Sequence, residues 1–133
     1  MTVRIPRSVL TAGLAAVLTI CLPFSALAGG KILWDTHHGV LQDYTPSGKY
    51  ADLTLVLRSL GFTVTTSDAG VGGVDLSGYD VVVACLSSAW DSAYTADEVD
   101  DITAFVAAGG GLLILSDHSG TPTANVAPLA TAF

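Results

Sequence analysis

The sequence predicts a three-layer α/β fold, a parallel sheet of about four strands flanked by helices, on three observations. Short apolar runs alternate with segments of helical periodicity. Two of the runs, at 79–86 and 112–115, are almost wholly apolar, as expected of strands covered on both faces. Glycines stand where the first two predicted helices have to stop. The resulting order of strand, helix, strand, turn, strand, helix, strand is that of a parallel sheet built with right-handed crossovers. In such sheets ligands bind beyond the carboxyl ends of the strands.

Residues 1–28 precede this pattern and read as a secretory signal peptide. Arg4 and Arg7 form a positive start, an almost uncharged apolar run follows to Phe24, and Ala26-Leu27-Ala28 supplies the small-x-small cleavage pattern. Pro23 limits the unbroken apolar stretch to about fifteen residues, short of the roughly 20 that a spanning helix needs. The expected exported protein therefore begins at Gly29, in a secreted or periplasmic location, with no membrane attachment after cleavage. Ile20 before Cys21 speaks against a lipoprotein anchor, and the separated arginines against twin-arginine export. Cleavage leaves Cys85 as the single cysteine, so no internal disulfide is expected and the core must hold by packing.

The domain predicted for residues 29–133 starts with a strand at 31–34, which ends in the polar cluster Asp35-Thr36-His37-His38-Gly39. Tyr50, Leu53, Val56, Leu57 and Leu60 recur at helical spacing, and Gly61 marks the stop. Residues 62–66 alternate and are rich in β-branched side chains, which gives the second strand, and a Gly-rich turn at 69–73 follows. The third strand is 79–86; Cys85 at its end reads as an inert core thiol. Thr95 and Glu98 have the spacing of a capping box at the start of the second helix. Its buried stripe is Val99, Ile102, Phe105 and Val106, and 109–111 ends it. After the fourth strand, Thr121-Pro122 opens a third helix that Pro128 is expected to interrupt. Four strands are few for this class and no terminating signal precedes Phe133, so a truncated or minimal version of a longer fold is expected.

Charge narrows the partners. Beyond residue 28 stand three basic residues against twelve acidic ones, a net of −9, which argues against nucleic acid. No GxGxxG follows the first strand and no P-loop is present, so neither a dinucleotide nor a P-loop nucleotide site is expected. Asp97, Asp100 and Asp101 lack the loop spacing of an EF-hand and read as a solvated helix face. No cofactor is expected.

Four segments carry a resemblance: ILWDTHHG (32–39), LRSLGFTV (57–64), LSGYDVVV (76–83) and TADEVDDITAFVAAGGGLLILSD (95–117). Together they resemble the amino-terminal part of the class I glutamine amidotransferase-like, flavodoxin-like superfamily, in particular its extracytoplasmic members. The resemblance implies the parallel-sheet scaffold. In catalytic members the fourth strand leads into a GxCxG nucleophile elbow, with a histidine and an acidic residue supplied later. Here that position holds Ser116-Asp117-His118, without the cysteine or the preceding glycine. Glutaminase chemistry of the family type is therefore not expected. Ser116 with His118 as base would be a substitute, but residues two apart around a turn seldom face one another.

The candidate ligand-binding rim comprises Asp35, His37, His38, Ser87, Ser88, Trp90, Ser116, Asp117 and His118. Trp90 and Tyr94 could stack on a sugar or plug the core. Strands in one sheet lie about 4.8 Å apart, so if one strand separates the first from the fourth, His37, His38 and His118 come within reach of a shared divalent metal. The leading expectation is a secreted, non-catalytic binding or interaction module for an extracytoplasmic ligand or protein. The alternatives are a hydrolase using the same rim, with or without a metal, and a fragment of a longer protein.

Overall fold

Four five-residue segments rich in Val, Ile, Leu and Thr form the sheet: Lys31–Asp35 (β1), Thr63–Ser67 (β2), Val81–Cys85 (β3) and Gly111–Leu115 (β4). The computed structural model describes residues 29–86, 92–118 and 120–133, with the Gln42 side chain left aside. Residues 1–28, expected from the sequence to be a signal peptide, and the rim residues Ser87, Ser88 and Trp90 lie outside the described residues. All pairings are parallel and the order is β2-β1-β3-β4. That is the flavodoxin-like order over these strands, with the reversal of direction falling between β1 and β3. β3 alone separates β1 from β4, as the sequence-based distance argument requires.

Alternation along the strands feeds two apolar layers. Leu33, Val82 and Ala84 point to the face packed by Ile102, Phe105, Val126 and Leu129, which come from the helices Ala96–Ala107 (α2) and Thr121–Ala132 (α3). Ile32, Trp34, Val64, Val83 and Cys85 point to the other face, against Tyr50 and Leu57. Leu57 belongs to the helix Ala51–Ser59 (α1), which Tyr50 caps. The capping box is present at α2: Thr95 Oγ1 accepts from the Glu98 amide and Glu98 accepts from the Thr95 amide. Gly61 and Gly109, with φ of 90° and 103°, provide the left-handed stops.

Three expectations need correction. Helix α1 is rotated from the predicted stripe, because Tyr50 packs against the rings of Trp34 and Tyr44 at 5.3 and 5.6 Å. Thr54 is thereby buried, while Leu53, Val56 and Leu60 face outward with Leu55. Strand β4 is incompletely covered on the α1 side: Leu115 packs against the cluster there, but Leu113, paired with Val83, is 45% exposed because α1 packs mainly against β2. Helix α3 continues through Pro128, since burial of Val126 and Leu129 outweighs the one hydrogen bond the proline cannot make. Among the described residues, no helix is long and apolar enough to cross a membrane.

Candidate functional site

At the carboxyl end of β1 the chain turns sharply and places Asp35, His37 and His38 together. The Asp35 carboxylate is 3% exposed and fully engaged. Its Oδ1 accepts from the His37 amide at 2.9 Å, and its Oδ2 accepts from Tyr94 Oη at 2.5 Å and meets His38 Nδ1 at 2.5 Å. The opposite nitrogen of the buried His38 ring, Nε2, lies 3.3 Å from Glu98 Oε2. Tyr94 stacks on that ring with centroids 3.9 Å apart. Glu98 is the same residue that closes the α2 capping box, so one carboxylate oxygen serves the helix start and the imidazole together.

Electrostatics follow from this geometry. Burial favours a neutral His38, but the bond and charge of Asp35 and then the charge and bond of Glu98 prevail, and the pKa is raised above 6.5. Burial likewise opposes an ionised Asp35, yet the bonds from His38 and Tyr94 and the His38 charge hold its pKa below 3.8. Glu98 is lowered too: burial is outweighed by the Thr95 bonds and the His38 charge. The cluster is an imidazole held between two carboxylates, both of which favour its protonated form.

The other half of the rim is separate. At the end of β4, Ser116 Oγ contacts Thr123 Oγ1 at 3.1 Å and the Asp117 carbonyl at 3.3 Å. The exposed His118 turns its Nδ1 to Asp117 Oδ1 at 2.7 Å. The His118 amide and ring hold the Asp117 carboxyl below its ordinary range. Ser116 is thus bonded to Thr123 and a carbonyl, while His118 is bonded to its own neighbour. His37 is exposed and points Nδ1 at the Asp68 carbonyl, 2.9 Å away. Among the described residues no three His, Cys, Asp or Glu are grouped to hold a metal. The three histidines of the expected shared site face different partners: His37 the Asp68 carbonyl, His38 Asp35 and Glu98, and His118 Asp117.

Beside the ends of β3 and β4 opens a cleft of about 280 Å³ lined by Leu41, Tyr44, Leu86, Ser116 and Asp117. Leu86, the residue after β3, has φ +45°, a left-handed conformation costly for a residue with a branched side chain. Its carbonyl accepts from the Leu41 amide, which fixes one wall of the cleft to the end of the sheet. Burial pushes the Cys85 thiol up to about 11, in keeping with an inert core residue. Tyr94 plugs the core and presents no ring to the cleft.

Sequence reasoning placed Asp35, His37 and His38 together but missed Tyr94 and Glu98 as partners of His38. No local spacing connects residues about sixty positions apart. The one available signal is that Glu98 is the single glutamate among twelve acidic residues. Comparison with known protein families, curated proteins and solved structures finds no match to this chain.

Proposed function

We infer that the protein is an extracytoplasmic, non-catalytic binding module on an amidotransferase-like scaffold, with the cleft between β3 and β4 as its recognition surface. The observation that carries this reading is the closure of the His38 cluster on itself. A general base needs a free nitrogen within hydrogen-bond reach of the proton it removes, and both His38 nitrogens face carboxylates. What the rim offers to solvent is recognition chemistry: the Tyr44 and Leu41 side chains as apolar surface, and the Ser116 and Asp117 oxygens as hydrogen-bond acceptors. The parallel order of the sheet supports the scaffold, and the leader pattern of residues 1–28 supports export.

Calorimetric titration with monosaccharides, oligosaccharides and short lysine-containing peptides tests the reading. Binding by one of these classes is expected, weakened about tenfold by Asp117→Asn with the melting temperature unchanged. Absence of binding across the panel sinks the proposal. Turnover of generic ester or amide substrates that disappears in His118→Ala would instead establish the hydrolase alternative.

A further inference from the structure

Helix α1 and strand β2 flank a groove of about 480 Å³ lined by Pro46, Ser47, Arg58, Val64, Thr65 and Thr66. Beyond residue 28 the chain has twelve acidic residues and three basic ones, yet no acidic residue lines this groove and the one arginine does. Among the described residues Arg58 forms no ion pair; its guanidinium makes a single long hydrogen bond, 3.4 Å, to the Val64 carbonyl. Most of its N–H donors are thus left for an acceptor from solution, and a carboxylate is the group that the planar fork binds through two bonds at once. An acidic molecule has here a local positive pole.

The groove runs beside an edge that belongs to the fold. In the flavodoxin-like order a further strand pairs with β4 and leaves β2 at the edge. The parallel register fixes what that edge offers. The Thr63 amide bonds to the Gly30 carbonyl and the Ser67 carbonyl accepts from the Thr36 amide, so residues 63, 65 and 67 turn their main-chain groups toward β1. Val64 and Thr66 turn theirs away from it, and Thr66 is exposed. We propose that this groove takes the carboxyl-terminal end of an extended peptide, which adds to the sheet as a strand antiparallel to β2 with its terminal carboxylate on Arg58.

Charge sets the direction. Arg58 reaches Val64, the second residue of β2, and a peptide terminus seated there is a carboxylate if the peptide runs against β2 and an ammonium if it runs with it. With the last peptide residue opposite Val64, the residue two before it exchanges two hydrogen bonds with Thr66. The side chains of both peptide residues then lie on the α1 face, as that of Val64 does, where Val64 and Pro46 offer apolar surface to small aliphatic groups. Main-chain bonds give such strand addition its affinity, and here the guanidinium reads the chain end. The groove shares no lining residue with the cleft at Ser116 and Asp117, so the two surfaces are separable.

Fluorescence polarisation on the protein expressed from its whole sequence tests this, with pentapeptides labelled at the amino end and finishing in alanine, valine or leucine with a free carboxylate. Saturable binding is expected, weakened about tenfold when the same peptides are amidated and about tenfold by Arg58→Gln at unchanged melting temperature, and partly restored by Arg58→Lys. The Thr66 amide is expected to exchange fast in the free protein and slowly with peptide bound. Asp117→Asn is expected to leave the affinity unchanged; a loss in that variant would assign the peptides to the cleft and overturn the proposal. No binding by any of the peptides overturns it as well, and so does binding indifferent to amidation or to Arg58→Gln. Glucuronate that binds through Arg58 where the peptides do not would make this a site for acidic sugars instead. Slow exchange at Thr66 in the free protein also counts against it, because another part of the same chain would then occupy the edge.

Discussion

His38 sits where two opposing costs meet, desolvation of a cation and loss of its carboxylate partners. Removing one member of a buried ion pair leaves the others uncompensated, which typically costs 3–5 kcal/mol. His38→Ala is therefore expected to destabilise by about 3 kcal/mol in urea unfolding at mildly acidic pH. The pH dependence has two limbs. His38 has a raised pKa, so its contribution is complete below 6.5 and is lost as pH rises through the folded-state value. Asp35 and Glu98 have lowered pKa values, so theirs is complete above about 4.5 and is lost as pH falls through the folded-state values. Stability from this cluster is expected to be greatest between those limits. In His38→Ala the alkaline limb should disappear; its persistence in denaturation measured across pH would mean that another group produces it. The sequence showed that Asp35 and His38 lie within one turn, since three residues past a strand end can reach each other. It could not show Glu98 or Tyr94, whose approach depends on where α2 lands on the sheet.

Helix α1 illustrates how an element can be recognised while its orientation is misread. Its existence and its stop at Gly61 follow from periodicity and glycine placement, but the rotation is set by the Trp34–Tyr50 contact, a tertiary fact. The rotation buries the Thr54 hydroxyl, which has no hydrogen-bond partner among the described residues. A buried hydroxyl without a partner costs about 1–3 kcal/mol, so the near-isosteric Thr54→Val is expected to stabilise by about 1 kcal/mol in thermal melts. No gain would indicate that the hydroxyl is satisfied. At the end of α2, Gly109 combines φ +103° with open space around the position a Cβ would take. Gly109→Val is thus expected to destabilise by about 1 kcal/mol or more through backbone strain alone, and an unchanged chemical melt would contradict the assigned stop. Helix α2 was legible to the residue at its start because its capping box is local. Helix α3 was cut short on paper because the packing of Val126 and Leu129 is not.

At the scale of the whole molecule, the three-layer arrangement was legible from the alternation of strand and helix patterns, and the open face of β4 was not. An apolar strand reads the same whether one face or both are covered; only the placement of α1 over β2 distinguishes them. The strand order has a further bearing on how the chain reaches its native state. Strand β1 is made first and lies between β2 and β3, so the earliest strand has no partner until residues 63–67 and 81–85 have been synthesised. Sheets closed by such distant pairings form slowly, because the loop entropy must be lost before any contact offsets it. Refolding from urea, followed by pulsed exchange, should accordingly protect the β1 amides late and together with those of β3. A nascent chain that cannot knit its centre early stays open to chaperones and proteases until residues 81–85 have emerged.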